Sequence, residues 1–397
     1  MTVRALFVNT PIAAPLGADT WVHLQVARDV PRSDVEPYLA CVKSDGTTLT
    51  ATYQAAAQMA DLHIVPVNFG SELGEEGFAH RLLELRKSLR APWHIAKLAQ
   101  LVRRDHIQVL YTSDRLRDAW PCLVIGRICK VPTVIHLHVN HGAWIGRPLL
   151  ASLRKAHRLI AISEFTKQSY VEAGFDARII DVVHNGVPAD RWGNDDQRSV
   201  TRSEFVTDDE TVLILCVARL FPPKGVGELV DAVGELAPRH PNVKLLIAGL
   251  EVEQGFRAHL EQRAARSGAA SMVHFLGHRS DVPQLMAAAD IYAMPSFEEP
   301  FGLVFVEAML SSLPVVALDS GGAREIIVHQ QTGLLSAPNE HRQLIDNLET
   351  LIASPAMRTT LGAAGRQRAL EHFSSTRMAA EVGAVLTAVS SQGWNRR

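Results

Sequence analysis

Residues 290–307 read DIYAMPSFEEPFGLVFVE. A short apolar run, Ile291 to Pro295, gives way to Ser296, Phe297, Glu298, Glu299, Pro300, Phe301 and Gly302, and a second apolar run with helical character begins at Leu303. The pattern is a strand, a tight loop punctuated by Pro300 and Gly302, and a helix. The first amides of such a helix have no partner within it and favour an anion held above the strand. Glu299 precedes the helix and Glu307 lies about one and a half turns into it, so the two carboxylates flank those amides rather than touch each other. Amides for a phosphate, with two carboxylates for neighbouring hydroxyls, describe a site for a phosphate-linked sugar. The same residues also fit a helix whose dipole is complemented by Glu298 and Glu299, with Glu307 in solvent.

Outward from this stretch, short apolar runs alternate with helix-like segments, the pattern of parallel sheets covered on both faces. Strands are expected at 3–9, 38–43, 63–68, 108–113, 133–138, 158–163 and 180–184, and again at 212–218, 243–249, 273–277, 291–296, 315–319 and 333–337. A polar, proline-containing stretch separates the two sets and reads as a linker. The fold class is α/β, with a first Rossmann-like domain over 1–190, a linker over 191–210, a second Rossmann-like domain over 211–373 and a final helical segment over 374–397. At 397 residues the chain is long enough for two domains with separate cores. Sheets of this kind collect ligands at the carboxyl ends of their strands, so two such domains facing each other would put the chemistry in a central cleft.

Composition narrows the function classes. A hydrophobic share of 47% and a charged share of 21% are those of a soluble globular protein. A net charge of -2 argues against a protein built around nucleic acid. Cys41, Cys122, Cys129 and Cys216 are dispersed, with no metal or redox spacing, and read as buried thiols of a reducing compartment. The apolar run 5–8 is broken by Asn9 and Pro11 too soon for a signal-peptide core, and no uncharged run approaches the ~18 residues of a membrane helix. The expected location is the cytoplasm, soluble or peripheral. Residues 78–104 carry Arg81, Arg86, Lys87, Arg90, Lys97, Arg103 and Arg104 against the single acid Glu84, with leucines and Trp93 interleaved. That stretch fits either a surface that meets anionic lipid or an anionic acceptor, or a solvated helix face.

Three further constellations bear on chemistry. After the apolar run 212–218 come Arg219, Leu220, Phe221, Pro222, Pro223, Lys224 and Gly225. Two cations on a proline-stiffened loop at a strand end can reach one diphosphate, Lys224 as a point charge and Arg219 as a fork. The run 133–138 ends in His136 and His138, with His141 close by; no carboxylate or cysteine lies near in sequence, and no metal is expected there. The loop 9–19 contains Gly17, whose lack of a side chain would let the backbone approach a phosphate, or which marks an ordinary strand-to-helix turn.

The run EEPFGLVFVEAM resembles the signature of two glutamates with seven residues between them of the retaining family 4 glycosyltransferases, which share the GT-B architecture of two facing Rossmann-like domains. The resemblance is strong over about 212–335 and weaker but continuous over the first half. It implies that Glu299 contacts hydroxyls of the donor sugar, that Glu307 takes the ribose hydroxyls, and that the amides of Phe301, Gly302 and Leu303 hold sugar and phosphate. It implies that Arg219 and Lys224 neutralise the departing diphosphate and that His138 meets the donor sugar at the reacting centre. Gly277, His278 and Arg279 would fall in the loop that cradles the base, and Gly321, Gly322 and Glu325 in the segment near the base end. Where family members carry two adjacent glycines after the first strand, this chain has Gly17 followed by Ala18. The final helix would cross back to the first domain.

The implied reaction is transfer of a hexose from a nucleotide diphosphate sugar to a hydroxyl of a glycan, lipid or small-molecule acceptor. Retention would come without a metal and without a cofactor beyond the donor itself. An inverting transferase using Asp19 as base, and an inactive nucleotide- or glycan-binding protein, are the rivals. A nicotinamide dehydrogenase is disfavoured because no GxGxxG follows the first strand.

Overall fold

The computed structural model describes residues 2–11, 17–44, 48–69, 90–142, 145–193, 198–206, 208 and 210–394. Its strands are β1 (Val3–Val8), β2 (Val35–Cys41), β3 (His63–Pro66), β4 (Val109–Ser113), β5 (Thr133–Leu137), β6 (Arg158–Ala161) and β7 (Ile180–Val182). They are followed by β8 (Val212–Val217), β9 (Val243–Ala248), β10 (Val273–Gly277), β11 (Ile291–Met294), β12 (Val315–Leu318) and β13 (Gly333–Ser336). Each strand expected from the apolar runs is present, most ending a residue or two sooner. The strands form two parallel sheets, ordered β3-β2-β1-β4-β5-β6-β7 and β10-β9-β8-β11-β12-β13. Helices follow the strands as crossovers, which is why β4 and the centre of β8 are buried throughout rather than on alternate residues.

Met1–Asn185 and Ser375–Arg397 pack as one unit and Gly186–Ser374 as another. In each sheet the strand order reverses beside its first strand, between β1 and β4 in the first unit and between β8 and β11 in the second. Loops leaving the carboxyl ends of those strands diverge in opposite directions and leave a crevice. The loops after β8 and β11 are the two that carry the cation pair and the two glutamates.

Two expectations need correction. The stretch 191–210 is not a free linker. It carries a helix, Arg198–Arg202, that belongs to the second unit. Arg198 Nη2 lies 2.7 Å from Asp290 Oδ1 and Arg202 Nη1 2.8 Å from Asp290 Oδ2, while both guanidinium groups also donate to carbonyls of Ala287, Ala288 and Ala289. Cations on the last carbonyls of the helix Val282–Ala288 hold the segment where composition alone suggested a tether. The second strand starts at Val35 and runs through Pro37, three residues ahead of expectation. Pairing with β3 begins only at Tyr38, so the missing amide of Pro37 costs the sheet no bond on that side.

The final helix, Ser375–Gln392, packs on the helix Ala18–Asp29 of the first unit. Gly383 permits the approach, since a Cβ there would stand 3.0 Å from Val30 Cγ2.

Candidate functional site

In the second unit the loops after β8 and β11 are pressed together. Phe297 N donates to Pro223 O at 2.8 Å and Ser296 Oγ to the same carbonyl at 3.2 Å. Gly225 adopts φ +69°, and a Cβ on it would come within 1.9 Å of Pro295 O, so this position accepts only glycine without moving a loop. The junction brings Lys224 Nζ to 2.5 Å from Glu299 Oε2, with Ser296 Oγ donating to that oxygen at 3.0 Å. Both charged side chains are largely enclosed, and a charge-assisted bond in such a place is stronger than a surface pair. Arg219, by contrast, is exposed and makes no ion pair among the described residues.

The helix Leu303–Leu310 starts from Gly302 at φ +103°, and the amides of Gly302 and Leu303 have no acceptor among the described residues. Phe301 turns inward, 2% exposed, and its ring meets Phe373 edge to face at 5.9 Å; such a pair adds ~1 kcal/mol beyond its buried area and fixes the loop that offers those amides. Gly321 and Gly322 lie beneath the same loop: Gly322 N donates to Glu299 O at 2.7 Å, and a Cβ on Gly321 would stand 2.4 Å from that carbonyl. The glycine pair therefore seats the glutamate loop. Burial pushes the Glu307 carboxyl up to about 7, with Arg191 pulling it back. The Arg279 guanidinium donates to Asp281 at 2.5 and 2.7 Å and to Glu204 at 3.3 Å.

In the first unit, Gly17 precedes the helix Ala18–Asp29 with an ordinary φ of −65°. What excludes a side chain there is Asp19, whose Oδ1 would be 2.7 Å from a Cβ. Asp19 is gripped by Arg115 through Nε at 2.5 Å and Nη2 at 2.9 Å. Burial alone would raise its carboxyl, but the Arg115 hydrogen bonds and neighbouring charges outweigh it and hold the group down at about 2. A carboxylate so placed is a weak base, which counts against the inverting alternative. The loop residues 12–16 lie outside the described residues.

The histidines regroup. His141 leaves the set, its amide donating to Ser169 Oγ at 2.9 Å and its ring lying against Tyr170. His23, from the helix Ala18–Asp29, joins His136 and His138, and ring nitrogens of the three lie within 4.8 Å of one another. Bonds of ~2.0–2.1 Å to a zinc ion require its nitrogens to be about 3.5 Å apart, so the cluster would have to contract to hold one. Burial and mutual repulsion push His23 and His138 down to about 3. His138 N donates to Asp114 Oδ2 at 2.8 Å, and burial lifts the Asp114 carboxyl to about 7. His23, Arg115, Asp114, Ser296 and Arg191 were not singled out from sequence as site residues. Only Ser296, inside the loop motif, carried a signal in its spacing.

Of the cation-rich stretch 78–104, Arg81, Arg86 and Lys87 lie outside the described residues. The helix Ala91–Arg104 buries Ile95, Leu98, Ala99 and Val102 and leaves Trp93 63% exposed. Lys97 donates to Pro66 O, Arg103 to Ile128 O, and Arg104 to Asp105. No described helix is long and apolar enough to cross a membrane.

Comparison with known proteins agrees with this fold. The model for "Glycosyltransferase Family 4" matches residues 24–191 and that for "Glycosyl transferases group 1" matches residues 197–368. Glycogen synthase of Mycobacterium tuberculosis is 29% identical over 285 residues, which cover 67% of this chain and 65% of that protein, so the match spans just under two thirds of the relative's length. The GDP-mannose-dependent alpha-(1-6)-phosphatidylinositol monomannoside mannosyltransferase of Mycolicibacterium smegmatis is 29% identical over 304 residues, covering 72% of this chain and 78% of that one. Among solved structures, Anabaena HepE in complex with UDP and glucose superposes with a TM-score of 0.76 at 25% identity, covering 97% of this chain and all of that one. A glycosyltransferase from Rickettsia africae, at 18% identity, shares the fold with a TM-score of 0.78 over 98% of each chain.

Proposed function

The chain belongs to the family 4 glycosyltransferases, with the two Rossmann-like units of the GT-B fold, and from that we propose that it transfers a hexose from a nucleotide diphosphate sugar to a hydroxyl, with retention at the anomeric carbon. The acceptor is a glycan, a lipid-linked glycan or a small molecule. The observation that carries this reading is the enclosed Lys224–Glu299 pair beside two unpartnered amides and the exposed Arg219. A diphosphate bound at those amides competes for Lys224, and the released Glu299 carboxylate is then free to accept hydrogen bonds from sugar hydroxyls. Arg219 adds a second cation for the leaving group, and Glu307 accepts from the ribose.

No carboxylate beside this site among the described residues has the character of a nucleophile, which favours attack on the same face as departure. The acceptor oxygen bonds to the anomeric carbon as the bond from that carbon to the diphosphate breaks, and the departing diphosphate oxygen takes the acceptor proton. Catalysis then rests on placement and on neutralising the leaving group, with no metal required. His138 is the residue of the first unit assigned to the reaction. HepE bound to UDP and glucose and the GDP-mannose-dependent relative support a hexose donor on a nucleoside diphosphate.

Incubation with UDP-glucose and GDP-mannose in the absence of acceptor, followed by proton NMR of the first-released sugar, tests the reading. The α-hexose should appear first; the β-hexose would make the enzyme inverting, and no release from any donor would favour the inactive binding protein. The exposed Trp93 and the cations around it support a peripheral contact with anionic lipid. Sedimentation with phosphatidylglycerol vesicles should retain the protein at low salt, and its absence from the pellet would remove that contact.

A further inference from the structure

The fully buried His23 is poorly explained as a packing residue. Both of its ring nitrogens are enclosed without a hydrogen-bond partner among the described residues, an arrangement that costs stability and that an apolar side chain would avoid. Its ring is nevertheless held in a fixed plane, stacked on Tyr111 with centroids 4.6 Å apart and 18° between planes. It stands 5.4 Å from the ring of His138 and 5.9 Å from that of His136, and those two rings are 4.4 Å apart, so the three form a triangle.

The hydroxyl of Tyr111, itself buried, has His136 Nδ1 at 2.6 Å as its one described partner. The two share one hydrogen bond, whose donor is set by the His136 tautomer. His136 Nε2 and His138 Nε2 are both buried and unpartnered. Nδ1 of His138 is not among the enclosed, unpartnered atoms, which favours the His138 proton on Nδ1 over Nε2.

We propose that His23 is a positioning residue for His138: its ring and that of His136 pack on adjacent sides of the His138 imidazole, so that the imidazole keeps one orientation and one tautomer. The groups facing the cluster are Asp19 and Arg115, paired with each other one turn before His23, Tyr111 from β4, and Asp114, which takes the His138 amide. Burial and the neighbouring imidazoles keep all three histidines uncharged. The consequence rests on the assignment of His138 to the transfer reaction, but the positioning itself does not.

Long-range proton–nitrogen NMR of the protein labelled with 15N-histidine tests it without reference to turnover. In the wild type His138 should show one tautomer, protonated at Nδ1, unchanged between pH 5.5 and 8. In His23→Leu its two nitrogen signals should move together as tautomers average, and in His23→Gln, which restores a polar group, they should separate again. If hexose transfer is established, His23→Leu should lower kcat on the order of tenfold to 100-fold with donor KM unchanged. Unaltered His138 signals in folded His23→Leu would overturn the proposal. So would stoichiometric zinc binding that shifts all three histidines, which would make the cluster a metal site. A single tautomer that responds to His23 in a protein without transferase activity would leave the positioning intact and remove the function.

Discussion

The two units solve the problem of holding polar groups under cover in opposite ways. In the second, Lys224 and Glu299 come from loops on either side of the β8–β11 reversal and satisfy each other, with Ser296 closing the arrangement. In the first, beside the β1–β4 reversal, Asp19 and Arg115 pair, but behind them His23, His136 and His138 gather with several ring nitrogens unpartnered. A matched ion pair is a site that a charged ligand can exchange into. A set of neutral, unsatisfied imidazoles is a rigid surround that spends stability to fix one ring. The comparison assigns ligand charge to the second unit and placement to the first.

The largest test of that division is Lys224→Ala. One well-placed donor to a leaving group is worth ~3 kcal/mol, so kcat should fall at least about 100-fold. Adding Glu299→Ala should cost less than it does alone, because the partner is already gone; additive losses would mean that the pair does not act as a unit. Arg115→Ala probes the first unit. Removing one partner of an enclosed pair should destabilise the protein by roughly 2 kcal/mol or more, read from urea unfolding at pH 7. The sign in acid follows from the depressed Asp19 carboxyl, whose contribution is present above its unfolded value of 3.8 and lost as pH falls toward about 2. The variant should therefore lose less stability than the wild type between pH 4 and 2. An equal loss would separate Asp19 from that acid transition.

A smaller effect is expected at Glu307. Its carboxyl, raised to about 7, must be ionised to accept two ribose hydroxyls fully, so affinity for a nucleoside diphosphate should weaken several-fold as pH drops from 8 to 6. Glu307→Gln should bind more weakly at pH 8 and lose most of that dependence; the same slope in the variant would place the titration elsewhere.

What the sequence made legible follows from chain distance. The thirteen strands announce themselves as local apolar runs, and the loop of Glu299, Gly302 and Glu307 carries its spacing within one short segment. Arg219 and Lys224 likewise share one loop. His23, Tyr111 and His136 reach their cluster from three separate elements, and no spacing encodes that. The stretch 191–210 looked like a tether because it is polar, yet Arg198 and Arg202 find Asp290 some ninety residues away. Gly17 fits either a phosphate-loop glycine or an ordinary strand-to-helix turn by its spacing, and the nearby Asp19 carboxylate, 2.7 Å from where a Cβ would stand, comes from the fold. The resemblance puts Arg279 in a base loop that acts largely through its backbone, and its guanidinium is engaged by the neighbouring Asp281 and by Glu204, which only the fold brings near.

Calorimetric titration of the wild type and Glu307→Ala with UDP, GDP and ADP, without added metal, tests the central claim most directly. One nucleoside diphosphate should bind with a single site per chain, and the variant should bind it at least tenfold more weakly. Equal affinity in the two proteins, or no binding of any of the three, would contradict the assignment of the donor site to the loops after β8 and β11.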